Sequence, residues 1–476
     1  MGEALVKEAL KRSIPGWRYG GYVFSVAGAR TAGILISSLT FPYLVRRLGV
    51  EAYGQWSYVV ALCAFLNVVA DPGMNVFLMQ QVAARKQAAF ESIPDVLFLR
   101  FLSSLLAAIA LLAILSHEAR ANVRQVLLLY GIGILFTNLT AADHLLGALE
   151  LFHARSLLTV MQQLVYALMV FLTVRSASDL FWLPISLLSS AAASSLGAWI
   201  VLWRSGVRFR ARLRPRCWGQ ILVPSLHYST STLMSNIYHR TGHLLVRWFL
   251  GDFALGIYAA AVRFVELLRG FLIIILQVLM PRIAAAAESA AELRRLARYA
   301  TSVIAIFSVP LTVGLIGTAH LLVPWVMGTK YLADVPLLQW MAPYLITAPA
   351  ASLFSGTILF AMGRHRAYLA STAGGALAGA FLYLTLIPMF GLRGAALAFV
   401  MAELVVAAIA LAKIPELHGS WKNAVLWISP ASALLMVFAI RVANTYTSQA
   451  TVVVFVGACV YMASCGWFVR RLFFEH

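Results

Sequence analysis

Apolar runs of about 20 residues recur along nearly the whole chain, with short polar connections between them. Both faces of each run are apolar, whereas a transmembrane β-strand alternates over segments of about ten residues. A helix of that length spans the hydrocarbon core of a bilayer and satisfies its own backbone. Fourteen such spans are centred near Ala32, Val68, Ala107, Phe136, Leu164, Ala192, Leu233, Phe271, Pro310, Ala348, Ala378, Val400, Leu434 and Val456. The pattern predicts an all-α polytopic membrane protein with about 14 transmembrane helices.

Two spans end on nearly the same words. LVRRLGVEAYGQW begins at Leu44 and LVRWFLGDFALGIY at Leu245. Aligning Gly49 with Gly251 also brings Leu48 onto Leu250, Gly54 onto Gly256 and Trp56 onto Tyr258, at one offset of 202 positions. Six spans separate the two starts, so the copies run in the same direction through the membrane. Such a parallel repeat has halves related by an axis along the membrane normal, which can rock and expose a central site to each side alternately.

Composition agrees: of 476 residues, 61% are hydrophobic and only 12% charged. The net charge of +19 does not point to nucleic acid, because the Lys and Arg are scattered through the connections. Most of them fall on one side of the membrane when both termini are placed in the cytoplasm. The basic stretch RSGVRFRARLRPRCW divides the repeats and reads as a linker that also fixes topology. The expected organisation is a cytoplasmic amphipathic segment over 1–18, an N-lobe over 19–203, the basic linker over 204–218, a C-lobe over 219–412, and two further spans over 413–476. The first residues lack the apolar core and cleavage site of a signal peptide. Three of the four cysteines, Cys63, Cys459 and Cys465, lie in apolar runs, and nothing suggests a disulfide framework or a metal site.

FPYLVRRLGVEAYG, the DPG at Asp71 and LVRWFLGDFALGIYAAAVRFVE resemble the polysaccharide-transporter (Wzx-like) branch of the multidrug, oligosaccharidyl-lipid and polysaccharide exporter superfamily. The resemblance touches both lobes. It implies two six-helix lobes with pseudo-twofold symmetry around a central cavity, and a flippase that moves a polyprenyl-diphosphate-linked oligosaccharide from the inner to the outer leaflet. The protein would then sit in the bacterial or archaeal plasma membrane, among membrane lipids and other glycan assembly proteins. The two last spans resemble the extra helices of MurJ-like lipid II flippases, which help form a groove for the lipid tail; an ordinary outside packing role is equally open.

Ionisable residues at membrane depth cost about 2.5 to 3.5 kcal/mol each on insertion scales, so they should face a watery cavity or a partner. Arg263, Glu266 and Arg269 stand at steps of three on one side of span eight, and Glu266 cannot neutralise both arginines. Arg240 and Arg30 add to the surplus. A guanidinium forks onto phosphate oxygens with two hydrogen bonds. Arg30, Arg240, Arg263 and Arg269 are therefore the expected diphosphate-binding set. Arg100 is expected to snorkel to the cytoplasmic surface near Asp95. Asp71, before Pro72 and Gly73, is expected to break span two, and either a hinge or a coupling site fits it. Glu266 is the other coupling or hinge candidate.

Wzx-like chains often place an acidic residue two positions after the arginine matched by Arg240; here that position is Gly242. Histidines cluster nearby instead, at His227, His239 and His243. His239 and His243 share a helix face and suit a polar cavity lining, without a third ligand for a metal. No cofactor is expected, and coupling to protons or sodium stays open. GALAG at Gly375 and Gly379 reads as a helix-packing face. Trp56, Trp199, Trp203, Trp325 and Trp340 are expected as interfacial anchors. A cation-coupled multidrug antiporter of the same superfamily and a transport-incompetent scaffold of a glycan assembly complex remain alternatives. An enzyme is disfavoured, since no connection is long enough to fold on its own and hold catalytic residues.

Overall fold

Lipid offers a backbone no hydrogen-bond partner, and the apolar runs accordingly coil into helices. The computed structural model describes residues 16–78, 92–140, 142–149, 151–205, 213–287, 289–417, 425–447 and 449–474, and among them there is no strand. The helices in order are α1 (Gly16–Ala70), α2 (Ile93–His117), α3 (Ala121–Thr140), the short α4 (Asp143–Ala148), α5 (Phe152–Thr173), α6 (Trp182–Arg204), α7 (Trp218–Ala285), α8 (Ala290–Val326), α9 (Asp334–Met341), α10 (Tyr344–Ala351), α11 (His365–Phe390), α12 (Leu392–Ala412), α13 (Val425–Tyr446) and α14 (Ala450–Phe474). Each expected span centre falls inside one of them, and eight of the described spans are long and apolar enough to cross a membrane. The chain is an all-α polytopic membrane protein. The amphipathic segment expected over 1–18 lies almost wholly outside the described residues, as do 206–212 of the basic linker.

α1 and α7 each contain two spans because one glycine breaks each of them. Gly49 has φ 74° and ψ −178°, and Gly251 has φ 86° and ψ −179°. A side chain is strained in that conformation and glycine is not. The repeated Leu-Gly is thus the same turn made twice.

The described chain divides into two compact units, one of Met1–Leu48 with Gln55–Asn236, the other of Gly49–Gly54 with Ile237–His476. In the first, Met74, Phe77, Val96, Leu99, Leu146 and Leu202 share a buried core. Span two is interrupted where expected: α1 stops at Ala70, and helix resumes at Met74. Asp71 caps the resumed helix, its Oδ1 accepting from the Met74 N–H at 3.0 Å and its Oδ2 from the Asn75 amide.

Two expectations fail in this unit. Arg100 does not snorkel; it is 2% exposed, and its Nη2 donates to Asn138 Oδ1 at 3.3 Å. Asn138 in turn donates to Asn67 Oδ1 at 3.1 Å, so a polar partner on α3 was available inside. Asp95, the neighbour expected for Arg100, is wholly buried and occupied by the linker. It accepts from the Arg214 backbone N–H at 2.7 Å, from Arg214 Nε at 3.5 Å and from Trp218 Nε1 at 3.0 Å. Trp56 is no interfacial anchor either, being 7% exposed and edge-on to Tyr130 with centroids 5.6 Å apart. Trp203, Trp325 and Trp340 are exposed near helix ends, and Trp199 donates to the Thr140 carbonyl at 2.8 Å.

In the second unit, a Cβ on Gly54 would overlap the Asp252 carbonyl oxygen and come within 2.8 Å of the Gly256 nitrogen. One on Gly256 would overlap the Val50 carbonyl oxygen and come within 2.7 Å of its carbon. The second glycine of each copy therefore lets the two copies touch backbone to backbone. Gly375 and Gly379 of α11 make room for the Val406 and Ala402 side chains of α12, where packing rather than water exclusion drives association. After α10 the helix widens into a π-helical stretch over Ser352–Leu359. α13 and α14 pack on α8 through Met436 and Ile440, and the Tyr461 hydroxyl donates to the Ile306 carbonyl at 2.8 Å.

Candidate functional site

Between Asp252 at its start and Arg282 near its end, the second arm of α7 carries three charges, Arg263, Glu266 and Arg269, at helical spacing, which turns them to one side. Arg263 Nη1 stands 3.9 Å from Glu266 Oε2, with the two side chains 44% and 22% exposed. Arg240, on the first arm of the same helix, and Arg269 both act on Glu266 electrostatically, as does His239. The sequence pattern groups Arg263, Glu266 and Arg269 and expects Arg240, His239 and His243 beside them; the fold brings these three within electrostatic reach of Glu266 from across the Gly251 turn.

Arg269 is held by more than Glu266. Its guanidinium carbon lies 5.8 Å from the centre of the Tyr344 ring, within cation–π range, and Glu403 of α12 acts on it. Tyr344 is itself stacked on Phe399, with centroids 4.3 Å apart. Tyr238 is within electrostatic reach of Glu403. Three guanidiniums thus face two carboxylates, leaving one positive charge with the histidines neutral. Both carboxylates act on Arg269, so an entering anion would have to compete with them there, whereas Arg263 is the most open of the three.

Gly242 explains itself here. The Tyr258 and Tyr383 hydroxyls are 2.9 Å apart, and a Cβ on Gly242 would come within 2.6 Å of the Tyr258 oxygen and 2.7 Å of Tyr383 Cζ. A tyrosine pair fills the space an acidic side chain would need. His243 packs edge-on to Tyr258 at 5.4 Å, and His239 to Tyr238 at 4.4 Å. The His243 Nδ1 and Tyr344 hydroxyl are buried and have no hydrogen-bond partner among the described residues.

The structure brings Arg240, Arg263, Glu266, Arg269, His239 and His243 into one unit. It places Arg30 and Asp71 in the other, Arg30 exposed on α1 and Asp71 engaged as a helix cap. The side chain of His227 lies outside the described residues. Sequence reasoning missed Glu403 as a partner of Arg269, and with it Tyr238, Tyr258, Tyr344 and Tyr383. A glutamate in the middle of α12, whose only other charged residue is Arg393 in its first turn, was the available signal; the tyrosines carried none, being apolar enough to pass as span residues. Among the described residues no group of three or more His, Cys, Asp or Glu could hold a metal ion.

Comparison with known proteins places these features in context. The sequence profile described as polysaccharide biosynthesis protein matches residues 22–287. No curated protein sequence matches the chain. Among solved structures, the lipid II flippase MurJ in an inward closed conformation is similar with a TM-score of 0.77 at 16% identity, over 95% of this chain and 99% of that one. A MOP superfamily transporter from Pyrococcus furiosus is similar with a TM-score of 0.58 at 17% identity, over 84% and 96%. An outward-facing multidrug resistance MATE family transporter of the MOP superfamily follows with a TM-score of 0.56 at 16% identity, over 84% and 96%. At these identities the likeness is one of fold.

Proposed function

The chain belongs to the polysaccharide biosynthesis protein family, and on that premise we propose that it is a flippase for a polyprenyl-diphosphate-linked oligosaccharide, moving it from the inner to the outer leaflet by alternating access. The observation that carries the reading is the guanidinium surplus of Arg240, Arg263 and Arg269 over Glu266 and Glu403 within one unit. A diphosphate supplies the missing negative charge and oxygen acceptors in the geometry that a guanidinium prefers. Arg263, more open than Glu266, is placed to meet it first, and Arg269 exchanges a carboxylate for a phosphate oxygen as the headgroup settles. The buried His243 and Tyr344 polar atoms suit sugar or phosphate oxygens. A cationic drug would meet the wrong sign of charge, which sets the antiporter reading behind this one.

In this reading the termini are cytoplasmic, the chain catalyses no covalent step, and it works beside other glycan assembly proteins. An inside-negative potential favours outward movement of anions by about 2.3 kcal/mol per charge per 100 mV, so a doubly charged headgroup gains on the order of 4 to 5 kcal/mol.

The test is transbilayer movement of a labelled polyprenyl-diphosphate oligosaccharide in proteoliposomes. Arg240→Gln, Arg263→Gln and Arg269→Gln should each weaken apparent substrate affinity by about 10- to 100-fold, the worth of one charge-assisted hydrogen bond or slightly more. Unchanged transport in all three, or preferential binding of cationic dyes over the diphosphate lipid, would sink the reading.

A further inference from the structure

Asp334, the first residue of α9, is wholly buried, and among the described residues neither of its carboxylate oxygens has a hydrogen-bond partner. Tyr331, in the turn Thr329–Tyr331 that joins α8 to α9, is also wholly buried, with its hydroxyl unpartnered. The face of α9 below them is apolar, formed by Leu337, Leu338 and Met341. No charged side chain among the described residues acts on Asp334. The nearby titratable groups are phenols: Tyr331 itself, and Tyr53, which acts on Tyr331. The other ionisable groups on the adjoining elements are turned elsewhere. His320 of α8, Lys330 of the turn and Arg393 of α12 are exposed, and Glu403 of α12 faces Arg269.

A bare buried carboxylate costs several kcal/mol unless something compensates its charge. Among the described residues no side chain donates to Asp334 and none offers a counter-charge, which leaves room for a compensating ion from outside the chain. One carboxylate balances one positive charge; a divalent ion would bring an excess and would lack the ligand set that such ions require. We propose that Asp334 and the Tyr331 hydroxyl form a binding site for one monovalent cation, either a proton or a sodium ion. A sodium ion takes oxygen donors, and the phenol oxygen and the carboxylate are both available; a proton simply converts the carboxylate into a neutral acid. The site lies wholly within the second unit, apart from the arginine cluster, and stands independently of the substrate reading.

The experiment uses purified full-length protein in detergent, with melting followed as sodium chloride replaces choline chloride at constant ionic strength, and separately as pH is raised without sodium. If sodium is the ligand, the wild-type melting temperature rises and saturates with sodium, and Asp334→Asn does not respond. If a proton is the ligand, sodium has no effect. The folded state then binds a proton that the unfolded state has released, so wild-type stability is full at low pH and falls as pH rises, while Asp334→Asn holds its stability. Tyr331→Phe shifts the half-saturating sodium concentration or the midpoint pH of whichever response appears, and it decides the matter if Asp334→Asn does not fold. Wild-type protein indifferent to both sodium and alkaline pH overturns the proposal. So does a response that Asp334→Asn, or in its place Tyr331→Phe, leaves unchanged.

Discussion

Replacing Gly256 with alanine tests why the sequence repeats its glycines. The added Cβ would overlap the Val50 carbonyl oxygen and lie within 2.7 Å of the carbonyl carbon and 2.9 Å of Val50 Cγ1. Ordinary carbon contacts are about 3.5 to 4.0 Å, so the two backbones must separate by roughly an ångström. Backbone atoms cannot rotate aside as a long side chain can, which puts the cost at the upper end of the usual overpacking range, about 3 kcal/mol. With an unfolding entropy of about 2.1 cal/mol/K per residue, that corresponds to a fall in Tm on the order of 3 to 6 °C, depending on whether the whole chain or the second unit melts together. The assay is thermal unfolding of purified protein in detergent, with Gly219→Ala as control, since a Cβ there meets nothing within 4 Å. Gly54→Ala should cost a similar amount. The double variant should cost clearly less than the sum, because a gap opened for one methyl also serves the other. A Gly256→Ala protein that melts with the wild type, or strict additivity in the double variant, refutes the close-approach reasoning.

Two further outcomes follow from the first unit. Asn138→Leu removes one buried acceptor from Arg100 and the Asn138 donor from Asn67 inside the bundle, and should cost about 1 to 3 kcal/mol in unfolding experiments, where loss of a merely surface contact would cost a few tenths. Asp95→Ala removes the acceptor for three donors at the end of the basic linker, so limited trypsin digestion should cut faster within 204–216 than in the wild type; equal digestion rates would show that Asp95 does not anchor the linker.

Several elements were legible before any coordinates. Period and length set the helices, because lipid leaves a long apolar run no other way to pair its backbone. The Asp71-Pro72-Gly73 break was visible from residues that end helices by their own stereochemistry. Arg263, Glu266 and Arg269 were legible as a group, since neighbours on one helix need no tertiary information. Arg100 was misread because snorkelling and internal pairing look alike in sequence; the choice depended on Asn138, 38 residues away. Trp56 was misread for the same kind of reason, its fate depending on Tyr130.

The sequence by itself determined that this chain crosses a membrane repeatedly as helices, turns twice on the same glycine, and carries more arginine than carboxylate in its seventh and eighth spans. These are local facts, fixed by hydrophobicity, backbone sterics and spacing. The tertiary structure decided which charges meet. It brought Glu403 from α12 to Arg269, set Tyr258 and Tyr383 in the space over Gly242, laid Gly54 and Gly256 against each other's backbones, and left Asp334 buried with no hydrogen-bond partner among the described residues. An interaction between residues more than a hundred positions apart has no signature in either segment alone, because its energy exists only once packing has excluded water and brought the two groups together.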